Sequence, residues 1–183
     1  NVIAQDKGIK DELTYLWNFG DGSTDSTKKS NHSFPDNGDY KVFITVKDND
    51  GGLTTSDKII KIKNVAPTFE ATIPKKQYEG KKVEILTQSI EDPGINDEHI
   101  FQFNYGDGTI SDDSNHIYRD NGDYNIEIIL SDDDGGADTL NQLISIINLP
   151  PKILGKLIDV ADEGENVDFQ ISVEDPGNDD THT

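Results

Sequence analysis

The sequence predicts an all-β protein built from tandem β-sandwich repeats, and three features support that prediction. Segments of the chain return at a spacing of about 84 residues, as expected of a repeat protein. Within each repeat, apolar and polar residues alternate with period 2, which is typical of half-buried strands. Glycine, asparagine and aspartate cluster between the alternating runs, where turns need them. No stretch shows a convincing helical period.

The repeat is visible in motifs that recur in the same order. The Gly-Asp-Gly motif at 20–22 returns at 106–108, and the Asp-x-Asp-Gly-Gly motif at 48–52 returns at 132–136. An Asn-x-x-Pro segment closes each repeat, so units should begin near Pro67 and Pro151. The predicted division is residues 1–66 as a unit lacking its opening strands, 67–150 as a complete unit, and 151–183 as the opening strands of a third. The chain opens at Asn1 without a signal peptide, and we expect a processed or excised piece.

Each element follows from the alternation. Trp17 follows the same period-2 alternation as Phe101, Phe103 and Tyr105 of the next repeat. This shared register predicts that these aromatic side chains belong to the core and do not form a sugar-stacking platform. Asn-Gly pairs at 37–38 and 121–122 predict tight hairpin turns, because glycine adopts positive φ. About seven short strands per repeat match the size of an immunoglobulin-like β-sandwich. Two apolar residues break the pattern by taking the outward phase, and they either pack under a neighbouring strand or contact a partner: Phe43 and Ile129.

Composition narrows the class of partner. The chain holds 36 acidic residues against 16 lysines and arginines, for a net charge of -20, which would repel a phosphate backbone. No apolar run approaches the roughly 18 residues of a membrane span. Cysteine is absent, which excludes disulfides, thiolate metal sites and a cysteine nucleophile. We therefore expect neither nucleic acid nor direct membrane insertion.

The motifs resemble those of the polycystic-kidney-disease (PKD) repeat. The resemblance rests on Trp-Asn-Phe-Gly-Asp-Gly at 17–22, His-x-Phe at 32–34, Asn-Gly-Asp-Tyr at 37–40 and Asp-Asn-Asp-Gly-Gly at 48–52. The second copy keeps Tyr-Gly-Asp-Gly at 105–108 but has Phe103 where tryptophan is usual. The resemblance implies extracellular β-sandwich modules of surface-layer proteins, adhesins, secreted proteases and chitinases. Such modules are usually spacers or binding modules and not catalysts.

Oxygen-bearing side chains gather at one end of the predicted sandwich. In the complete unit, the loops at 92–97 and 132–136 should lie at the same end, where Asn64 enters the first strand. Oxygen ligands from three segments suit Ca²⁺, which takes about 6–8 oxygens, and the family resemblance also implies calcium near this end. Solvated turns are the alternative. The expected ligands are Asn64, Asp92, Asp97, Asp132 and Asp134 in the complete unit, Asp6, Asp11, Asp48 and Asp50 in the first, and Asn148, Asp175 and Asp179 in the third.

Charge is concentrated in the complete unit, where bound divalent ions would relieve repulsion. Residues 83–151 hold 15 acids and one base, Arg119. A second calcium position is a further hypothesis: Glu79-Gly80 should lie close to the loop of Asp175, so that an ion there would stiffen the joint. An ordinary Glu-Gly turn is the alternative reading of that pair.

Catalysis is not expected. The four histidines pair off by the repeat, His32 with His116 and His99 with His182, which favours a role in the fold. No Gly-x-Ser-x-Gly elbow, His-Glu-x-x-His helix or phosphate loop is present in the sequence. Paired carboxylates are too abundant in this chain to be diagnostic.

The leading functional hypothesis is a non-enzymatic structural or adhesion array, stiffened by calcium, in a surface layer, adhesin or stalk. The alternative is an accessory module that binds polysaccharide or protein substrate for a secreted hydrolase. We expect an extracellular or cell-surface location, with neighbouring repeats of the same protein as partners and a glycan or surface protein as a further one. Copies of the chain are a further hypothetical partner: strands from 151–183 of one copy could complete the first unit of the next. The alternative is that the piece was cut from a longer array without regard to unit boundaries.

Overall fold

The structure is a computed structural model that describes residues 12–155 and 160–177. Within those residues all regular secondary structure is β, in fifteen strands, so the all-β prediction is confirmed. None of the described segments forms a helix long and apolar enough to cross a membrane. Contacts divide the chain into two compact units. The first contains the described residues up to Ala66 with the loops Asp92–Glu98 and Asp132–Gly136, and the second contains Pro67–Glu91, His99–Ser131 and the described residues from Ala137 onward.

The first unit is a four-stranded antiparallel sheet. Its strands are β1 (Thr14–Asn18), β2 (Thr24–Asp25), β3 (Gly38–Lys47) and β4 (Leu53–Ile62). They lie in the order β2-β1-β3-β4. The long pair β3–β4 runs in register from Gly38 opposite Ile62 to Lys47 opposite Leu53. The loop between these strands is the Asp-x-Asp-Gly-Gly motif, which therefore closes the longest hairpin of the unit.

The second unit carries the other eleven strands, in one large sheet and three strand pairs. They are β5 (Thr68–Thr72), β6 (Lys76–Tyr78), β7 (Lys82–Glu84), β8 (Leu86–Glu91), β9 (His99–Asn104), β10 (Ile110–Ser111), β11 (Asn115–Ile117), β12 (Gly122–Asp132), β13 (Ala137–Ile147), β14 (Lys152–Leu154) and β15 (Ser172–Glu174). The five-stranded sheet has the order β10-β9-β12-β13-β6, and β6 runs parallel to β13. The separate pairs are β5–β8, β7–β11 and β14–β15.

A single apolar cluster fills the second unit. The inward residues of β9 and β12 are buried in it, with Phe103 2% exposed and Ile128 fully buried, and β5, β7 and β13 cover them. Aromatic rings continue the cluster: Tyr105 and Tyr118 are fully buried, and the Tyr118 hydroxyl donates a hydrogen bond of 2.8 Å to the Tyr105 carbonyl. Burial raises the pKa of Tyr105 to about 12 and raises that of Tyr118 further. The core prediction for Phe103 and Tyr105 is confirmed.

The equivalent face of the sheet in the first unit is less buried than the core of the second unit. Trp17 is only partly buried, and its indole N–H donates to the Thr27 carbonyl at 3.0 Å. It lines an open cavity of about 850 Å³ together with Ile44 and Ile60. Phe43 is 37% exposed, and the Lys41 ammonium lies 4.9 Å from its ring centroid, so this outward ring packs under a neighbouring lysine.

The prediction of hairpins at the Asn-Gly pairs is wrong. Gly38 and Gly122 do take positive φ, +136° and +150°, but each begins a long strand that pairs with later and earlier strands rather than with its immediate predecessor. The positive φ lets the chain enter β3 and β12 from a preceding bend. Just after each of these glycines a tyrosine hydroxyl reaches back to that bend, as Tyr40 does to the Asp36 carbonyl at 3.1 Å and Tyr124 to the Asp120 carbonyl at 3.1 Å.

Candidate metal centre

Carboxylates converge at one place in the first unit. Side-chain oxygens of Asp92, Asp97 and Asp132 all lie within 4.8 Å of one another, and so do those of Asp36, Asp97 and Asp134. Asp97 belongs to both sets, so it stands at the centre of five carboxylates. Four of the five were expected from the sequence as calcium ligands of the complete repeat, and the structure brings those four together.

A tight loop positions Asp92 and Asp97. The Gly94 amide donates to Asp92 Oδ1 at 2.9 Å, and the Asp97 amide donates to the Gly94 carbonyl at 3.3 Å. Gly94 lies directly against the Asp97 carboxylate, where a Cβ would collide with it. The Asp-Pro-Gly sequence therefore forms a turn that aims both carboxylates the same way, and Gly94 is the residue that leaves room for this arrangement.

Asp132 is the most firmly held carboxylate of the cluster. Its Oδ1 accepts hydrogen bonds from the amides of Asp134 at 3.0 Å and Gly136 at 2.6 Å, and its Oδ2 accepts one from the Asn64 side-chain nitrogen at 2.8 Å. The hydrogen bond from Asn64, followed by the backbone donors, lowers the pKa of Asp132. Asp132 is 8% exposed, so the Asp-x-Asp-Gly-Gly loop curls around a buried, ionised carboxylate.

Asp97 is in the opposite situation. Its Oδ1 is buried and has no hydrogen-bond partner. Burial raises the pKa of Asp97, and the negative charges of Asp92, Asp36, Asp134 and Asp132 raise it further. A carboxylate oxygen removed from water without a donor is costly unless a cation is present. The donor set consists of carboxylates and one amide, which are the hard oxygen ligands that Ca²⁺ takes, so the residues fit that ion.

Sequence reasoning missed Asp36. This residue precedes β3, about 60 positions before Asp97 in the chain, and neither spacing nor alternation connects the two. The loop of Asp97 reaches it because the Ile95 amide donates to the Pro35 carbonyl at 3.0 Å. The only available signal was the recurrence of the Asp-Asn-Gly motif at 120–122, and that recurrence favoured a turn.

The other predicted ligands are placed separately. In the first repeat, Asp48 Oδ1 accepts a hydrogen bond from the Gly52 amide at 2.7 Å, in the same loop geometry as Asp132, and Asp50 is exposed. In the third, Asn148 is exposed, and Asp175 Oδ1 accepts from the Gly177 amide at 3.2 Å. Neither carboxylate set of the cluster includes these residues. The remaining three predicted ligands lie outside the described residues: Asp6, Asp11 and Asp179.

Two histidines form matching pairs with aspartates. His32 Nε2 lies 2.6 Å from Asp21 Oδ2, and His116 Nε2 lies 2.6 Å from Asp107 Oδ2. Each imidazole stacks on the aromatic residue before the Gly-Asp-Gly motif, with centroids 4.0 Å and 4.2 Å apart. The hydrogen bond from His32 lowers the pKa of Asp21. The same arrangement in two repeats ties the Gly-Asp-Gly turn to a segment about ten residues further along the chain, which is a role in the fold.

Comparison with known proteins identifies relatives of this chain. A family model described as PKD domain matches residues 1–62 and 64–146. Among curated proteins, Collagenase ColA of Clostridium perfringens is 42% identical over 75 residues, which is 41% of this chain and 5% of that protein. Collagenase ColA of Bacillus cereus is 35% identical over 71 residues, which is 39% of this chain and 7% of that protein. The chain thus spans a small part of the length of these collagenases.

Two solved structures share a weaker likeness. One is the Protocadherin GammaB4 extracellular domain, where the match covers 79% of this chain and 28% of the protocadherin chain, with a TM-score of 0.32 and 16% identity. The other is the SGBP-B protein of the Bacteroides ovatus mixed-linkage glucan utilization locus, in complex with a mixed-linkage heptasaccharide. The match covers 74% of this chain and 38% of the SGBP-B chain, with a TM-score of 0.26 and 19% identity. At such scores neither likeness informs the function of this chain.

Proposed function

Because the chain belongs to the PKD domain family, we propose that it is a non-enzymatic extracellular module whose work is mechanical, with calcium bound at the carboxylate cluster around Asp97. In this role the repeats hold other parts of a protein away from a surface or build a lattice. Calcium would neutralise the cluster and tie its loops together. The module is thereby made stiffer than its acidic sequence alone would allow.

One observation supports calcium more than any other: the buried, unpartnered Oδ1 of Asp97 among four other carboxylates. Without a cation this arrangement combines desolvation with like-charge repulsion. The residues that would hold the ion are Asp92, Asp97 and Asp132, with Asn64, Asp36 and Asp134 beside them. By the repeat, we also propose Asp6, Asp11, Asp48 and Asp50 as ligands in the first repeat, and Asn148, Asp175 and Asp179 in the third.

The remaining polar groups favour a module without catalysis. The PKD domain is a non-catalytic module family. The two histidines that contact aspartates do so at equivalent positions and stack on aromatic rings, so neither marks a unique reaction centre. A buried aspartate beside an imidazole has a catalytic meaning only when a nucleophile completes the set, and the hydrogen bonds described at these histidines include no serine or threonine hydroxyl.

The second candidate function is an accessory module of a secreted hydrolase. It is favoured by the curated relatives, since the segments that match this chain belong to collagenases. Such a module would bind a fibrous protein or polysaccharide for an enzyme elsewhere in the polypeptide. Pull-down with insoluble collagen and with insoluble glucans separates the candidates: saturable binding to either polymer supports the accessory role, whereas no binding together with a calcium response supports the spacer.

The calcium proposal is tested by thermal unfolding in excess chelator and then with calcium added back. A ligand that binds only the native state adds RT ln(1 + [L]/Kd), about 2.7 kcal/mol at a hundred times Kd. We expect a clear rise in Tm with calcium and a smaller one with magnesium, which prefers tighter octahedral geometry. Asp97→Asn should remove most of the rise, and Asp112→Asn, an exposed aspartate outside the cluster, should keep it. An unchanged wild-type Tm would refute calcium binding.

A further inference from the structure

We propose that Glu79 is a ligand of a second, separate cation position in the second unit, shared with Asn148 and Asp175. The inference rests on the calcium function proposed above, and it concerns Asn148 and Asp175, which are among the ligands proposed there for the third repeat. It adds a residue that belongs neither to an aspartate-rich loop nor to the carboxylate cluster of the first unit.

Glu79 is the most deeply buried acidic residue of the described chain, with no exposed surface. Its Oε1 accepts a hydrogen bond of 2.6 Å from the Leu149 amide. Its Oε2 is buried and has no hydrogen-bond partner. A glutamate is almost never buried completely unless it is paired, and the ion pairs of the described residues do not include Glu79. The orphaned oxygen is therefore the feature that requires a ligand.

The backbone fixes where this carboxylate lies. The Glu79 amide donates to the Ile147 carbonyl at 3.1 Å, and the next amide, that of Gly80, donates to the Tyr118 carbonyl at 2.8 Å. Glu79 is thus attached through its backbone to Ile147 and through its side chain to Leu149. Asn148 is exposed and lies in sequence between the two residues that Glu79 contacts.

The third donor approaches from the C-terminal segment. A Cβ on Gly80 would lie 2.6 Å from the Pro176 Cβ, so the turn after Glu79 packs directly on the residue that follows Asp175. Gly80 accommodates this contact because it has no side chain and takes φ of +67°. The Gly177 amide holds Asp175 Oδ1 at 3.2 Å. The described contacts therefore join the Glu79 turn to the residues on either side of Asn148 and to the residue that follows Asp175.

The repeat gives an independent reason to read these residues as a cation position. Asn148 and Asp175 are the counterparts of Asn64 and Asp92, which lie at the carboxylate cluster of the first unit. In that cluster the Asp-x-Asp-Gly-Gly loop supplies the remaining carboxylates. At the second position Glu79 would supply the buried one. A hard divalent cation, Ca²⁺ first, is the class of ligand that this oxygen set would take.

The experiment measures the number of bound calcium ions per chain by equilibrium dialysis, and the Tm in chelator and in calcium. The proteins are the wild-type chain, Glu79→Gln, Asp97→Asn, the double variant, and Glu70→Gln as a matched control on an exposed strand position. Glutamine keeps the shape of Glu79 and an acceptor for the Leu149 amide, but it lacks the charge. We expect Glu79→Gln to lose one equivalent of calcium, or to weaken one Kd at least tenfold, while Asp97→Asn loses a different equivalent and Glu70→Gln loses none.

The outcomes separate this inference from the function on which it rests. If Asp97→Asn loses calcium and Glu79→Gln binds as the wild type does, the Glu79 position is refuted and the proposed function stands. If the wild-type chain binds no calcium, both are refuted. A Glu79→Gln chain that fails to unfold cooperatively in chelator is replaced by Asn148→Ala, which leaves the buried carboxylate in place. Retention of every calcium equivalent by Asn148→Ala refutes the shared position, and loss of one supports it.

Discussion

Replacing Asp97 by asparagine should change stability in opposite directions with and without calcium. Two unit charges 4.8 Å apart, the upper separation within each set of three carboxylates, interact by about 0.9 kcal/mol at the dielectric constant of water and by about 3.5 kcal/mol at an effective value of about 20. Asp97 is partly exposed, so solvent screening keeps the relief nearer the lower figure. In chelator we expect Asp97→Asn to be more stable than wild type by about 1–2 kcal/mol.

With calcium the order should reverse. Loss of a carboxylate ligand removes most of a ligand stabilisation of about 2.7 kcal/mol at a hundred times Kd. Thermal unfolding followed by circular dichroism, in chelator and in millimolar calcium, measures both differences on the same samples. If Asp97→Asn is less stable than wild type in chelator, the charge of Asp97 is not repulsive and the electrostatic reasoning fails. If its calcium-induced rise in Tm equals that of the wild type, Asp97 is not a ligand.

Further predictions concern pH, the Gly-Asp-Gly motif and self-association. Burial raises the pKa of Asp97, so in chelator its charge should destabilise the fold above the folded-state pKa. This destabilisation should disappear as pH falls towards the unfolded-state pKa. A stability difference between wild type and Asp97→Asn that stays the same across that pH range in urea unfolding would contradict the prediction. The hydrogen bond from His32 lowers the pKa of Asp21, so its contribution should be present above about pH 3.8 and lost as pH falls through the folded-state pKa, and Asp21→Asn should flatten that acid slope. Gly106→Ala should lower the free energy of unfolding by about 2–4 kcal/mol, because the new Cβ would lie 2.6 Å from the Asn125 carbonyl oxygen at a φ of +79°. Gly108→Ala, at a φ of +94° with open space around the Cβ, should lower it by only about 1–2 kcal/mol. Equal losses for the two variants in urea unfolding would show that φ alone matters. Head-to-tail completion of one copy by another remains a prediction, and analytical ultracentrifugation over a hundredfold range of concentration should show a mass that rises with concentration; a constant monomer mass would remove it.

Much of the fold was predictable because its signals are local. Alternation over 101–105 and along β12 placed Phe103, Tyr105 and Ile128 on inward positions, and the structure buries all three residues. The Asp-x-Asp-Gly-Gly loop could also be predicted from the sequence, because the amides that donate to the Asp132 carboxylate belong to residues two and four positions later. The hairpin prediction at the Asn-Gly pairs was wrong because glycine with positive φ occurs both in hairpin turns and at the start of strands. Which of the two forms depends on strand pairing, which the local sequence does not specify.

The sequence by itself determined the repeat, the strand faces, the family and the aspartates of the Asp-Pro-Gly and Asp-x-Asp-Gly-Gly loops. Only the tertiary structure decided which oxygens share one site. Asp36 meets Asp97 through a backbone hydrogen bond between Ile95 and Pro35, and Glu79 is buried because its turn packs on the end of β13 and on Pro176. The physical reason is that a local pattern specifies which way a side chain points, whereas desolvation and the separation of charges depend on segments distant in sequence.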